Sequence, residues 1–187
     1  MPNKILFKNA KILSMKNANI TEGDLLVIDN RIAYIGKESN KYVPFDRVIE
    51  CDGNLLMPGF KNAHAHSAMV FLRSKADDVA LQDWLFNVVF PKEERLIFND
   101  IVNLNKLAYL EYLSSGITTV FEHYFYPLAS AETAESFGMR TVLLGAYNAE
   151  KLSPIQLNEL YNRFNNKKDS LVTYMIGFHA EYTSNED

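Results

Sequence analysis

The chain has 187 residues, a formal net charge of -4, 48% hydrophobic residues and 22% charged residues. This composition predicts a packed core rather than disorder, and the slightly acidic balance offers no basic surface for nucleic acid. The single cysteine, Cys51, excludes an internal disulfide bond. Because the sequence has no signal-peptide core and no apolar run of about 18 residues, we expect a cytoplasmic protein with no membrane association.

Residues 1–57 are predicted to form a small all-β segment, part of a β-sandwich. Two turn signals, Asp29-Asn30 and Asp52-Gly53, each separate two short apolar runs, and each therefore predicts a β-hairpin. The second hairpin would join residues 47–51 to residues 54–56. Because about 55 residues are marginal for an independent core, we expect this segment to pack against another part of the protein.

From residue 58 the sequence alternates between extended and helical patterns. Buried strands are predicted at residues 117–121, 141–144 and 171–178, and helices at residues 79–89, 99–115 and 127–137 and from residue 153. Pro91 is expected to end the first helix and to open the next turn, and Asn99 is expected to cap the second helix. The order of these elements predicts parallel strands joined by right-handed crossovers.

Two histidines, His64 and His66, stand two residues apart on an extended segment. Alternate residues of a strand point to the same face, so both imidazoles can reach one ion, and neutral imidazole is a good ligand for zinc and similar metals. The spacing alone fits a metal site and a solvated surface pair about equally well. Pro58-Gly59 mark a sharp entry into this strand, and that context favours the metal site.

Histidines follow three of the four predicted strands. His64 and His66 stand at the first, His123 follows the second beside Glu122, and His179 follows the fourth. In a barrel of parallel strands, the carboxyl ends converge on one rim, where barrel enzymes keep their catalytic groups. This regular placement favours a functional site over histidines buried in the core.

Residues 57–66, Met-Pro-Gly-Phe-Lys-Asn-Ala-His-Ala-His, resemble the first-strand signature of the amidohydrolase superfamily. The similarity continues in residues 68–73, 81–85, 115–120, 137–140 and 178–183. Within the superfamily, the chain resembles the deaminase and chlorohydrolase branch, especially the S-adenosylhomocysteine/5′-methylthioadenosine deaminases. The resemblance covers nearly the whole chain.

The resemblance implies an α/β fold. The first four or so βα units of a (β/α)8 TIM barrel would occupy residues 58–187, preceded by the N-terminal part of a β-sandwich at residues 1–57. It also implies a metal-dependent hydrolase with one Zn²⁺ or Fe²⁺ ion per chain. Its small-molecule substrate would be an amino-substituted purine nucleoside or related heterocycle, which loses ammonia by hydrolysis. Chloride release from an aromatic ring, as in the chlorohydrolases of the same family, is the alternative.

Five site residues can be carried over from this resemblance. His64 and His66 would be metal ligands, Glu93 would bind the substrate through ribose hydroxyls, and Trp84 would form a wall of the pocket. His179 would hydrogen-bond the substrate near the metal. The last three also have plainer explanations: a charge near a helix start for Glu93, core packing for Trp84, and a strand end satisfied by backbone for His179.

The remaining machinery of the family has no counterpart in these 187 residues. A third metal histidine, a glutamate for proton transfer and an aspartate all follow later strands, so no catalytic residue is assigned, and His123 matches no family ligand. We expect a fragment without turnover of its own, which forms a homo-oligomer, associates through open barrel edges, or survives as an interaction module. Gly145 stands where the adenosylhomocysteine-type enzymes carry arginine, and Glu181 replaces a proline; both weaken the expectation of one particular nucleoside.

Overall fold

A computed structural model describes residues 2–37, 39–75, 77–146 and 153–178 of the chain. The chain divides into two compact units, Met1–Pro58 and Gly59–Asp187. The first is built from β-strands, and the second alternates parallel strands with helices. No helix within the described residues is long and apolar enough to span a membrane.

The first unit is a five-stranded mixed sheet. Its strands are β1 (Lys4–Leu13), β2 (Ile20–Ile28), β3 (Arg31–Gly36), β4 (Arg47–Glu50) and β5 (Leu55–Leu56). They lie in the order β3-β2-β1-β4, and β5 also pairs with β1. The antiparallel β2–β3 hairpin turns at Asp29-Asn30, as the sequence predicts, and Asp29 adopts a left-handed conformation that suits a tight hairpin turn.

The second predicted hairpin is wrong. The turn at Asp52-Gly53 forms, with both residues at positive φ, but β4 and β5 each pair in parallel with β1. The N–H groups of Cys51 and Gly53 donate to the carbonyls of Lys8 and Asn9, where the pairing of β1 with β2 changes register. The chain therefore runs in the same direction along β1 before and after this turn, and the turn lies beside the irregular part of β1.

The second unit is a four-stranded parallel sheet with helices in its connections. Its strands are β6 (Phe60–Ala65), β7 (Ile117–Glu122), β8 (Arg140–Ala146) and β9 (Val172–Gly177), in the order β6-β7-β8-β9. The helical segments are α1 (Leu81–Trp84), a π-helical turn (Leu85–Val89), α2 (Phe90–Glu93), α3 (Phe98–Ser114), α4 (Pro127–Phe137) and α5 (Pro154–Asn165). The predicted alternation of parallel strands with helices is confirmed.

Two helix ends follow the signals in the sequence. Ser153 caps α5, and its backbone and side chain exchange hydrogen bonds with those of Gln156, as a capping box requires. Gly138 ends α4 in the left-handed conformation, which glycine adopts without a steric penalty. Both signals depend only on residues that are close in sequence, so they do not depend on the tertiary structure.

Two other predicted helix boundaries are wrong. Pro91 lies in the first turn of α2, as expected, but it does not end the helical run. The wide π-helical turn before it relieves the clash between the proline ring and the preceding turn. The cap of α3 is also different from the prediction. Asp100, rather than Asn99, satisfies its first turn by accepting a hydrogen bond from the Ile97 N–H at 3.1 Å.

The main core of the second unit lies between one face of the parallel sheet and helices α3, α4 and α5. Val120, Leu143, Val172 and Tyr174 contribute to this face from three strands, and all are almost fully buried. Phe164 of α5 stacks on Tyr174, with ring centroids 5.8 Å apart. Because successive strand residues alternate between faces, the residues between these positions point to the opposite side of the sheet.

We predict that Gly145→Ala destabilises the chain by about 1–3 kcal/mol, the usual cost of overpacking a core. A methyl group at this position would fall on the hydroxyl and ring of buried Tyr174. Urea denaturation measures the loss. Tyr174→Leu shortens the opposing side chain, so Gly145→Ala should cost clearly less in that background. An equal cost in both backgrounds would contradict the collision.

Candidate active site

The candidate site lies where strands β6 and β7 end. β6 is followed by His66 and a 3₁₀ helix, Ser67–Leu72, and β7 is followed by His123. The two strands are parallel, with Ala65 beside Glu122, so their carboxyl ends meet at the same edge of the sheet. Histidines that are almost 60 positions apart in the sequence are therefore neighbours in the structure.

His64 and His66 contact each other through the nitrogen atoms that could bind a metal. Their Nε2 atoms are 3.2 Å apart, and their ring planes are nearly perpendicular, at 88°. Two nitrogens that each lie about 2.0–2.1 Å from a tetrahedral zinc ion are separated by about 3.3 Å. The spacing of the pair therefore fits two ligands of one shared ion.

The backbone after β7 sets the orientation of His66. Its Nδ1 atom lies 2.6 Å from the carbonyl oxygen of His123. A carbonyl oxygen can only accept a hydrogen bond, so this contact places the proton on Nδ1, and a neutral ring then keeps its lone pair on Nε2. Contacts of this kind commonly orient the histidines that bind metals in proteins.

The described residues supply only part of a metal site. Among them, no group of three or more His, Cys, Asp or Glu side chains is arranged to hold an ion. His64 and His66 provide two nitrogen ligands, whereas zinc sites normally have three or four protein ligands. The ring of His123 lies against that of His66, with centroids 5.8 Å apart. His179, a predicted substrate-binding residue, lies outside the described residues.

Glu93 contacts the segment after β7 through Tyr124, a residue with no evident role in the sequence pattern. Its side chain is buried, and its Oε1 atom accepts a hydrogen bond of 2.6 Å from the hydroxyl of Tyr124, two residues after β7. The pKa of the Tyr124 phenol is raised above its usual range, mainly because the phenol is buried and also because the Glu93 carboxylate lies beside it. Trp84 is half-buried at the opposite end of the helical run that carries Glu93. The substrate-binding roles of Glu93 and Trp84 stay predictions.

Glu122 is a buried acid whose role is not evident from the sequence pattern. Its side chain is 1% exposed, and its Oε1 atom accepts a hydrogen bond of 2.9 Å from the Ser67 N–H. Burial raises the pKa of this carboxyl to about 7, although the hydrogen bonds from Ser67 act to lower it. The sequence position of Glu122 could have indicated its burial. Alternate residues of a strand share a face, so Glu122 lies on the same buried face as Val120, where acids are rare.

Most of the chain matches one protein family. Residues 55–187 match the family model described as Amidohydrolase family. This range includes the histidine pair, the buried acids Glu93 and Glu122, and the whole of the parallel sheet.

Curated relatives match almost the entire chain. The 5-methylthioadenosine/S-adenosylhomocysteine deaminase of Desulforamulus reducens is 37% identical over 99% of this chain. The corresponding deaminase of Thermoanaerobacter pseudethanolicus is 36% identical over 96% of it. The matched regions make up 45% and 43% of those two proteins, so the chain spans less than half the length of the curated relatives it matches.

Solved structures share the fold. An adenosine deaminase from Xanthomonas campestris with bound zinc has a TM-score of 0.84 at 26% identity, over 98% of this chain and 44% of that protein. A mutant atrazine chlorohydrolase from Arthrobacter aurescens, complexed with zinc and atraton, has a TM-score of 0.77 at 18% identity, over 97% of this chain and 48% of that protein. The second supports the fold alone. The expected α/β fold, with an N-terminal β segment followed by parallel βα units, is confirmed.

We predict that the metal-free chain loses up to about 3 kcal/mol of stability through Glu122 as the pH rises from about 4.5 to about 7. The carboxyl has a pKa of about 7 in the folded chain and an ordinary value of 4.5 when unfolded, so the folded chain binds the proton more tightly. The contribution is fully present below pH 4.5 and is lost as the pH rises through 7. Urea denaturation at about pH 5 and about pH 7.5 measures the change.

Glu122→Gln is the matched control for this measurement, because the amide keeps the shape and the acceptor oxygen but does not titrate. The difference in unfolding free energy between the two pH values should be smaller in this variant than in the wild-type chain. An identical difference in both proteins would contradict the raised pKa of Glu122.

Proposed function

The chain belongs to the amidohydrolase family, and we propose that the protein is a metal-dependent hydrolase that removes ammonia from an amino-substituted purine nucleoside or a related heterocycle. The observation that carries this proposal is the His64–His66 pair, whose Nε2 atoms lie 3.2 Å apart at the end of β6. Similarity to curated deaminases supports the reaction class. The proposal concerns the whole enzyme, since the chain covers less than half of those relatives.

We propose that His64 and His66 hold one zinc or iron ion. Their Nε2 separation fits a shared ion, and the carbonyl of His123 keeps the proton of His66 on Nδ1. When bound, such an ion lowers the pKa of water and polarises the atom under attack, which is what hydrolysis at an electron-poor ring carbon requires. The chain's own contribution is to hold the two imidazoles in a fixed relation to each other.

Glu93 is proposed to bind the sugar hydroxyls of the substrate. The Tyr124 hydroxyl fixes its carboxylate at the rim, and a carboxylate has about four lone-pair sites, so it can also accept from a substrate hydroxyl. Trp84 is proposed as an apolar wall of the pocket, and His179 as a hydrogen-bond partner of the substrate. These assignments follow from the resemblance of the motifs and from the position of Glu93 beside the end of β7.

Gly145 bears on the choice of substrate. The position carries no guanidinium, and the Tyr174 side chain occupies the space that a Cβ on Gly145 would need. A carboxylate is bound most strongly by the paired N–H groups of an arginine. We therefore propose that the enzyme favours substrates without a carboxylate, such as 5′-methylthioadenosine, over S-adenosylhomocysteine.

The open sheet edges are proposed to mediate association. Among the described strands of the second unit, β6 and β9 are the edges of the sheet. Phe60 on β6 is 58% exposed, and Met175 and Ile176 on β9 are 51% and 49% exposed. Because apolar open edges promote pairing with other chains, we propose a homo-oligomer or a complex with a polypeptide that supplies further strands. A stable monomer on size-exclusion chromatography at all concentrations would contradict this proposal.

We predict that the purified 187-residue chain binds Zn²⁺ weakly and loses it to mild chelation, because two protein ligands make a weak site. His64→Ala and His66→Ala should each abolish most of the binding measured by competition with a chromophoric chelator. His123→Ala is the matched control, since it keeps the backbone carbonyl that accepts from His66 and removes only the ring that lies against the His66 ring. Equal losses in all three variants would contradict the assignment of the ligands.

Product analysis separates the two hydrolase activities. We expect no turnover from this chain alone, because no group for proton transfer is assigned. With the C-terminal part of a curated relative added as a second polypeptide, we expect ammonia release from adenosine derivatives, faster with 5′-methylthioadenosine than with S-adenosylhomocysteine. Chloride release from chlorinated triazines without ammonia release from nucleosides would overturn the deaminase proposal in favour of the chlorohydrolase.

A further inference from the structure

Three consecutive residues at the end of β6 are held by two consecutive residues at the end of β7. The carbonyl of Ala65 accepts a hydrogen bond from the His123 N–H at 3.0 Å. Nδ1 of His66 donates to the His123 carbonyl at 2.6 Å, and the Ser67 N–H donates to Oε1 of Glu122 at 2.9 Å. The backbone on both sides of His66 is therefore fixed by contacts from one short segment.

Ser67 also connects this segment to helix α3. The Ser67 hydroxyl lies 3.1 Å from the hydroxyl of Tyr112 on α3. The residue that follows His66 is therefore held both by Glu122 at the end of β7 and by a side chain of α3.

Packing alone does not account for an acid at position 122. The Glu122 side chain is 1% exposed, and burying a carboxyl in an apolar interior is unfavourable unless its hydrogen bonds compensate. A leucine of similar volume would fill the space without this desolvation cost. One oxygen of Glu122 contacts Ser67, while Oε2 has no hydrogen-bond partner among the described residues. The specific interaction that an acid provides here is the one with Ser67.

We propose that Glu122 is a positioning residue for His66. By accepting the Ser67 N–H, it fixes the backbone after His66, which keeps the imidazole against the His123 carbonyl with its proton on Nδ1. The unprotonated Nε2 atom then faces Nε2 of His64. The consequence for metal binding rests on the proposed function, whereas the tautomer of His66 is a property of the metal-free chain.

The first test is the tautomer of His66, read by NMR from the side-chain nitrogen shifts of the metal-free chain at about pH 8. In the wild-type chain the proton is expected on Nδ1. Glu122→Gln keeps an acceptor oxygen for Ser67 and should leave the tautomer unchanged. Glu122→Leu removes the acceptor at similar volume and should give a mixture of both tautomers.

The second test is the affinity for Zn²⁺, measured by competition with a chelator. Loss of a group that orients a metal-binding histidine weakens metal binding roughly 10- to 100-fold, and this is expected for Glu122→Leu. Glu122→Gln should stay within about threefold of the wild-type value. A folded Glu122→Leu chain with unchanged tautomer and unchanged affinity would overturn the positioning role. A wild-type chain that binds no Zn²⁺ would count against the proposed function instead, and the tautomer would then decide the role of Glu122.

Amide hydrogen exchange of the wild-type chain keeps the proposal testable if Glu122→Leu does not fold. The Ser67 amide should be protected to a degree comparable with the amide of His123, which forms the neighbouring contact. Exchange of the Ser67 amide at the rate of an exposed loop would show that Glu122 does not hold this segment, and it would overturn the proposal.

Discussion

The parallel pairing of β6 with β7 is the constraint on which the candidate site depends. Ala65 lies beside Glu122 in the register of the two strands, so the residues that follow each strand meet directly. A shift of the register by one residue would turn Glu122 to the other face of the sheet and take the acceptor away from Ser67. The buried face of β7, with Val120 in the core, fixes this register. Packing on one side of the sheet therefore determines the chemistry at its edge.

The histidine pair could be predicted from the sequence, because alternate residues of one strand share a face whatever the rest of the chain does. The hydrogen bonds that Glu93 and Glu122 accept could not be predicted in this way. Glu122 meets Ser67 across 55 positions, and Tyr124 meets Glu93 across 31, so each contact depends on how distant elements pack. The raised pKa of Glu122 beside the end of β7 nevertheless favours a functional role for this acid, since perturbed ionisable groups concentrate at functional sites.

The same distinction explains which parts of the fold the sequence predicts. The capping box at Ser153 and the left-handed end at Gly138 depend on neighbouring residues, and both form as expected. The turn at Asp52-Gly53 also forms, but β1 is the pairing partner of the strands on either side of it, and that choice has no local signal. Pro91 is a case where a local rule fails, because a π-helical turn changes the backbone into which the proline fits.

The π-helical turn at Leu85–Val89 also sets the rotational phase of the helical run around it. A π-helical turn takes in one more residue than an α-helical turn, and each residue of an α-helix advances the side-chain direction by about 100°. Trp84 precedes the turn and Glu93 follows it. The extra residue changes the angle about the helix axis between the Trp84 and Glu93 side chains. The indole and the carboxylate therefore point in a different relative direction than they would on an uninterrupted α-helix of the same length.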